Sequence, residues 1–221
     1  MVGGRICPYI ARAHGPGAKS VSHGALLDLE SVEANPPAPI GSFADGHCPM
    51  DIAPRFIIHE TAHWILNHHM SSALPGYLVL GTRYNVNSLS DLPEQALAEM
   101  GVLLAKVQKT LQAELQPKWL YISRFGHDPR FPIHFHYIPV YPWVEDLFWQ
   151  DERYRLLENF GDSASAHTLT DGAEMTLFIW REFGESPQPP AIEGPSIDQV
   201  IERLRTCFSP ASQRLLVQAG S

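Results

Sequence analysis

A chain of 221 residues, 44% of them hydrophobic, can bury the core of one ordinary domain with extensions, or of two small ones. Its formal charge of −8 excludes sequence-independent binding to nucleic acid or to an acidic membrane, since both need a basic surface. Three scattered cysteines, Cys7, Cys48 and Cys207, argue against a disulfide scaffold and fit a reducing compartment.

Residues 1–46 are rich in Gly, Ala, Pro and Ser without periodicity, and Ala34-Asn35-Pro36-Pro37-Ala38-Pro39 reads as a linker. A flexible N-terminal arm is expected there, with Met50 as an alternative start. No apolar run approaches the roughly 18 residues needed to span a bilayer, and no charged-then-apolar leader opens the chain. The expected setting is therefore the cytoplasm.

From Pro54 the texture changes. Arg55-Phe56-Ile57-Ile58-His59 and His63-Trp64-Ile65-Leu66 are β-rich, and the Pro75-Gly76 turn precedes a third strand, Tyr77-Leu78-Val79-Leu80. Ser90-Asp91 offers an N-cap, with Pro93 and Glu94 in the first turn of a helix. Behind it Leu97, Met100, Leu104, Val107, Leu111 and Leu115 recur at helical spacing. Trp119-Leu120-Tyr121-Ile122 predicts a fourth strand and Ile133 to Val140 a fifth. Helices are then expected over Glu145 to Leu157, Asp171 to Phe183 and Ser196 to Phe208, the last opened by the capping box Ser196-Ile197-Asp198-Gln199.

Two histidine motifs compete for the chemistry. His59-Glu60-Thr61-Ala62-His63 matches H-E-x-x-H, which on a helix can hold zinc between two histidines with the glutamate as base. Its flanks, Ile57, Ile58, Thr61, Trp64 and Ile65, favour strands instead, and a hairpin with its corner at Glu60 to Ala62 is the competing expectation. The second motif is His134-Phe135-His136-Tyr137-Ile138-Pro139. On a strand, i and i+2 share a face, so the two imidazoles stand side by side with Phe135 and Tyr137 on the opposite face. Such a pair suits metal binding or attack on phosphorus.

Taken together, Glu60-Thr61-Ala62-His63-Trp64, Leu74-Pro75-Gly76-Tyr77-Leu78-Val79-Leu80, Arg83-Tyr84-Asn85-Val86, the helix and His134-Phe135-His136-Tyr137-Ile138-Pro139 resemble a histidine triad (HIT) family domain. The resemblance covers about residues 52–143. It implies an α+β fold, an antiparallel sheet with a long helix across it, as a domain over 47–143 followed by a C-terminal helical extension, 144–221. By the same resemblance His134 is the nucleophile and His136 its neighbour, while Pro132 stands where the family has its first histidine. Asn85 likewise replaces a histidine often found after the third strand.

The resemblance implies a nucleotidyl hydrolase or transferase forming a nucleotidyl-histidine, acting on nucleoside phosphoramidates or dinucleoside polyphosphates without a metal or other cofactor. It also implies a homodimer with the long helix near the two-fold axis. Asn67, His68 and His69 fall where the family contacts ribose, so Asn67 and His69 are candidate substrate contacts. Arg124, His127 and Arg130 are candidates for the local positive field, Asp128 for a partner of Arg130 or of an imidazole, and Ser123 completes the substrate-binding set. A non-catalytic nucleotide-binding protein of the same fold is the first alternative, and a zinc peptidase through His59, Glu60 and His63 the second. The C-terminal helices are expected to cover the open side of the site.

Overall fold

The computed structural model describes residues 52–125, 131–155, 170 and 172–209. The expected N-terminal arm, 1–46, lies outside these. The sheet consists of β1 (Ile57–Glu60), β2 (Trp64–His68), β3 (Leu78–Thr82), β4 (Trp119–Ser123) and β5 (His134–Val140), in the order β1-β2-β3-β5-β4. All neighbours are antiparallel. The helices are α1 (Glu94–Leu115), α2 (Pro142–Gln150), α3 (Ala173–Ile179) and α4 (Ile197–Phe208), and α3 runs directly into a π-helical turn, Trp180–Glu185. The fold is α+β. No helix among the described residues is long and apolar enough to cross a membrane.

The H-E-x-x-H segment is a hairpin. His59 and Glu60 end β1, and His63 lies in the turn before β2. A helical face with both histidines on it therefore does not form. The His59 ring packs 5.1 Å from that of Phe208, and His63 Nδ1 meets the Tyr84 hydroxyl at 2.7 Å. Glu60 accepts a hydrogen bond from Arg83 at 2.8 Å. Among the described residues no group of three His, Cys, Asp or Glu side chains could hold a metal ion.

Ser90-Asp91 does not cap α1. Leu89–Asp91 is a separate 3-10 turn, and the helix starts behind Pro93 with no side-chain cap. The cause is Pro93 itself: a residue before proline avoids the α region, so Leu92 stays extended at ψ 144° and interrupts any helix begun at Asp91. The helix expected over 145–157 starts earlier, because Pro142 fits its first turn, and ends at Gln150. The one expected from Asp171 begins only after Gly172, whose φ of +94° is left-handed; Asp171 itself lies outside the described residues. The capping box of α4 forms as expected, with Ser196 and Gln199 each bonding the other's backbone N–H.

Each sheet face carries its own core. On one face Trp64, Leu66, Leu78, Leu80 and Tyr137 pack under Leu103, Val107 and Leu111 of α1 and Val200, Ile201 and Leu204 of α4. Arg205 ties α4 to the edge of the sheet by donating to the carbonyls of Ile57, Pro54 and Arg55. On the other face Tyr77, Ile138 and Val140 pack with Val144 and Phe148 of α2 and Met175, Phe178 and Ile179 of α3. Residues after 143 thus complete both cores.

Candidate functional site

Strand β5 holds the two histidines where strand alternation puts them. Phe135 and Tyr137 point into the α1–α4 core, and His134, His136, Ile138 and Val140 lie on the other face. Pro139 follows the last β3 pairing, Leu78 with Tyr137, where β5 has one neighbour only and a proline is tolerated. The rings of His134 and His136 stand 4.9 Å apart, nearly perpendicular.

His134 Nδ1 lies 2.8 Å from the carbonyl oxygen of Pro132. A carbonyl only accepts, so Nδ1 carries a proton, and the neutral form of the ring has its lone pair on Nε2. The orienting group is a backbone oxygen and does not depend on the side chain at position 132. His136 is 4% exposed, and its Nδ1 lies 3.2 Å from the Tyr77 hydroxyl. Burial, then the neighbouring His134 and His69, push its pKa down to about 3. The Tyr77 pKa is raised by burial, so its hydroxyl stays protonated.

A third ring joins these two. His69 follows β2 and stands 5.9 Å from His136 and 4.7 Å from Tyr77. Burial, then His68 and His134, lower its pKa to about 4. All three imidazoles border a cavity of about 550 Å³, together with Asn67, Val79 and Phe131. Asn67 is 3% exposed; its Nδ2 donates to the His68 carbonyl at 2.8 Å, while its Oδ1 is buried without a protein partner. A buried acceptor of this kind calls for a donor from a ligand or water.

Of the residues singled out in the sequence, His134, His136, Asn67, His69 and Arg124 therefore border one cavity. The Arg124 guanidinium bonds the Asn87 carbonyl at its rim. Ser123 pairs with His136 across β4 and β5 but lines a second, adjoining cavity. His127, Asp128 and Arg130 lie outside the described residues.

Two residues were missed. Tyr77 could have been found by parity, because Tyr77, Val79 and Gly81 alternate onto the face of His136. Trp180 gave no signal. Its indole comes from the π-helical turn, stands 6.2 Å from His136 and 5.7 Å from His69, and is held by a 2.7 Å bond from Nε1 to Glu185.

No family model matches the chain. No curated protein matches it either. Solved structures do. A zinc-bound histidine triad family protein from Mycobacterium smegmatis is 14% identical, with 74% of this chain and 90% of that one covered and a TM-score of 0.42. A hypothetical histidine triad nucleotide-binding protein from Sulfolobus tokodaii is 13% identical over 70% and 89% of the two chains, with a TM-score of 0.36. A Plasmodium falciparum diadenosine triphosphate hydrolase, solved with cyclomarin A, is 17% identical over 40% and 63%, also at 0.36. Solved structures similar to this chain thus include histidine triad family proteins.

Proposed function

We propose that this chain is a nucleotidyl hydrolase or transferase that works through a nucleotidyl-histidine on His134. The observation that carries the reading is the 2.8 Å contact of His134 Nδ1 with the Pro132 carbonyl, which selects the tautomer whose nucleophilic nitrogen is Nε2, in a ring that borders the cavity. Because that acceptor is backbone, proline in place of the family's first histidine leaves the nucleophile oriented.

His136 is the supporting group. With its pKa near 3 it is neutral at working pH, so it acts as a fixed tautomer and not as a cation. We assign the Tyr77 hydroxyl, 3.2 Å away, as the donor to its Nδ1, so that the proton sits on Nε2 and is given as a hydrogen bond to a non-bridging oxygen of the phosphoryl group. Asn67 Oδ1 accepts a ribose hydroxyl, and Arg124 supplies positive charge at the rim.

For an amide substrate the steps balance. The His134 Nε2–P bond forms as the P–N bond breaks, and the leaving nitrogen takes a proton from water and departs as an amine. The hydroxide left by that water then adds to phosphorus, the His134–P bond breaks with its electron pair returning to Nε2, and a nucleoside monophosphate leaves. A dinucleoside polyphosphate would lose a nucleotide in the same way. The scheme routes no step through a metal. A homodimer with α1 near the two-fold axis belongs to the proposal, and it would cover Val102, 68% exposed on that helix. So does a reducing, cytoplasmic setting, in keeping with the free thiol of Cys207.

The test is to incubate the protein with adenosine 5′-phosphoramidate and diadenosine triphosphate, quench, and search for a nucleotide adduct by peptide mass spectrometry. An adduct on His134 with release of AMP is expected. Binding of a mononucleotide without cleavage of either compound would leave a nucleotide-binding protein and sink the enzyme.

A further inference from the structure

Three imidazoles border the nucleotide cavity, and among its described lining residues only Arg124 carries a permanent charge. That guanidinium sits at the exposed rim, bonded to the Asn87 carbonyl, where water and salt screen it. A nucleoside phosphoramidate has one ionisable oxygen on phosphorus. The nucleoside monophosphate that leaves has two, and its phosphate carries a charge of about −1.5 to −2 at pH 7. The second charge has to be met inside the cavity.

We propose that His69 is that counter-charge, taking up a proton from solvent as a dianionic phosphoryl group enters, so that the site distinguishes dianionic from monoanionic ligands. The inference rests on the nucleotide binding proposed above. Of the three rings His69 is the one placed to be charged. His134 needs its lone pair for attack, and His136 is almost fully buried, with the other two rings 4.9 Å and 5.9 Å away. His69 is partly exposed, and its Nδ1 lies 3.3 Å from the Ser71 hydroxyl. A hydroxyl accepts as well as donates, so this contact survives protonation of the ring. The rings of Tyr77 and Trp180 stand 4.7 Å and 5.7 Å from it, inside the roughly 6 Å range of cation–π attraction.

The groups around His69 leave the ligand to supply the negative charge. His68 precedes it on β2, Tyr77 faces it from the start of β3, His134 and His136 from β5, and Arg124 follows β4. Behind the Trp180 indole, Glu185 is already paired with Arg181. No carboxylate is among the described lining residues. In the free protein burial, then His68 and His134, keep the ring neutral, with a pKa of about 4. An anion within about 4–6 Å reverses this, raising the proton affinity of an imidazole by about 10- to 1,000-fold. Linkage is reciprocal, so the proton that AMP draws onto His69 also holds AMP. That gain is present below the midpoint of the ligand-bound ring and is lost as pH rises through it. Near neutral pH the dianionic product is therefore held weakly and leaves, and in acid it is retained.

Carbon NMR titration of the full-length protein, isotope-labelled in its histidine rings, tests this with AMP and adenosine 5′-methylphosphonate as probes. The methylphosphonate keeps a single charge across the titration, and its P–C bond offers no leaving group. The His69 signal is the one missing from His69→Asn. Its midpoint should reach about 6 with AMP bound, and stay below about 5 in the free protein and with the methylphosphonate. In calorimetry His69→Asn should weaken AMP binding about four-fold at pH 5.5 and less than about two-fold at pH 8. A midpoint that AMP leaves below about 5, an equal rise with the methylphosphonate, or a loss in His69→Asn that is the same at both pH values overturns the counter-charge. Each of these results leaves nucleotide binding itself intact. Failure of AMP to bind at either pH overturns the proposed function and the counter-charge with it.

Discussion

The two faces of the sheet are closed by different parts of the chain, and to different extents. Under α1 and α4 the apolar cover runs from Trp64 through Leu80 to Tyr137, with Val107, Leu111 and Leu204 fully buried above. Under α2 and α3 it reaches Ile138 and Val140 and then stops, leaving His69, His134 and His136 beside a cavity. Strand β5 serves both faces: Phe135 and Tyr137 enter one core, while His134 and His136 line the gap in the other. The site thus occupies the place where apolar closure ends, and one strand's alternation decides which residue does which job.

The largest expected effects separate the faces most sharply. His134→Ala should lower turnover of adenosine 5′-phosphoramidate by at least about 1,000-fold, with stability changed by less than about 1 kcal/mol. Leu204→Ala, in the opposite core, should cost about 2–5 kcal/mol in urea unfolding while kcat at low temperature stays unchanged. A Leu204→Ala protein that is folded but inactive would mean the two faces do not act separately.

Much of this division was legible before any coordinates. The i, i+2 spacing of His134 and His136, the Pro75-Gly76 turn and the spacing of Leu97 to Leu111 fix the sheet, its corner and the helix across it, because each is a local pattern. What stayed hidden depends on packing. Trp180 reaches His136 only because α3 continues into a π-helical turn on the same face, and nothing near Trp180 in the chain encodes that contact. The separation of Ser123 from the nucleotide cavity depends on where Phe125 and Trp180 sit. Pro132 looked like a loss in the sequence, since a side chain can be read there but the carbonyl that holds His134 cannot.

The gap in the second core has a pH signature. His136 and His69 have folded pKa values of about 3 and about 4, below the ordinary 6.5. The unfolded chain therefore binds protons below pH 6.5 that the folded rings refuse, so stability is full above 6.5 and falls as pH drops toward 4. Each ring should contribute about 1.4 kcal/mol of loss per pH unit in that window. His59 and His68 are lowered by burial in the same direction and add to the slope. Between pH 7.5 and 5.5, His69→Asn should lose about 1.4 kcal/mol less than wild type in urea unfolding. An unchanged slope would mean that the ring is not held neutral.

Two tyrosines make a matched pair across the sheet. Tyr77 bonds His136 on the site face at 3.2 Å, and Tyr137 donates to the Leu104 carbonyl on the core face at 3.3 Å. Each tyrosine-to-phenylalanine change removes one hydroxyl and should cost about 1 kcal/mol of stability. Only Tyr77→Phe should also slow turnover, by about ten-fold, because it releases the tautomer of His136. Equal slowing by Tyr137→Phe would break the distinction between the faces.

The smallest effect lies farthest from the site. Ser196 caps α4 through the Gln199 N–H, and Gln199 returns the bond to the Ser196 N–H. Ser196→Ala leaves both the carboxamide and the α4 packing residues in place, yet removes one acceptor from the helix start. The loss should be about 1 kcal/mol, seen as a fall of about 2–4 °C in Tm. α4 supports the sheet only from the core side, through Val200, Ile201 and Leu204, so kcat and the affinity for AMP should not move. A fall in kcat at temperatures where the variant is fully folded would show that strain in α4 reaches His134 through the sheet, and that the core face takes part in setting the geometry of the site.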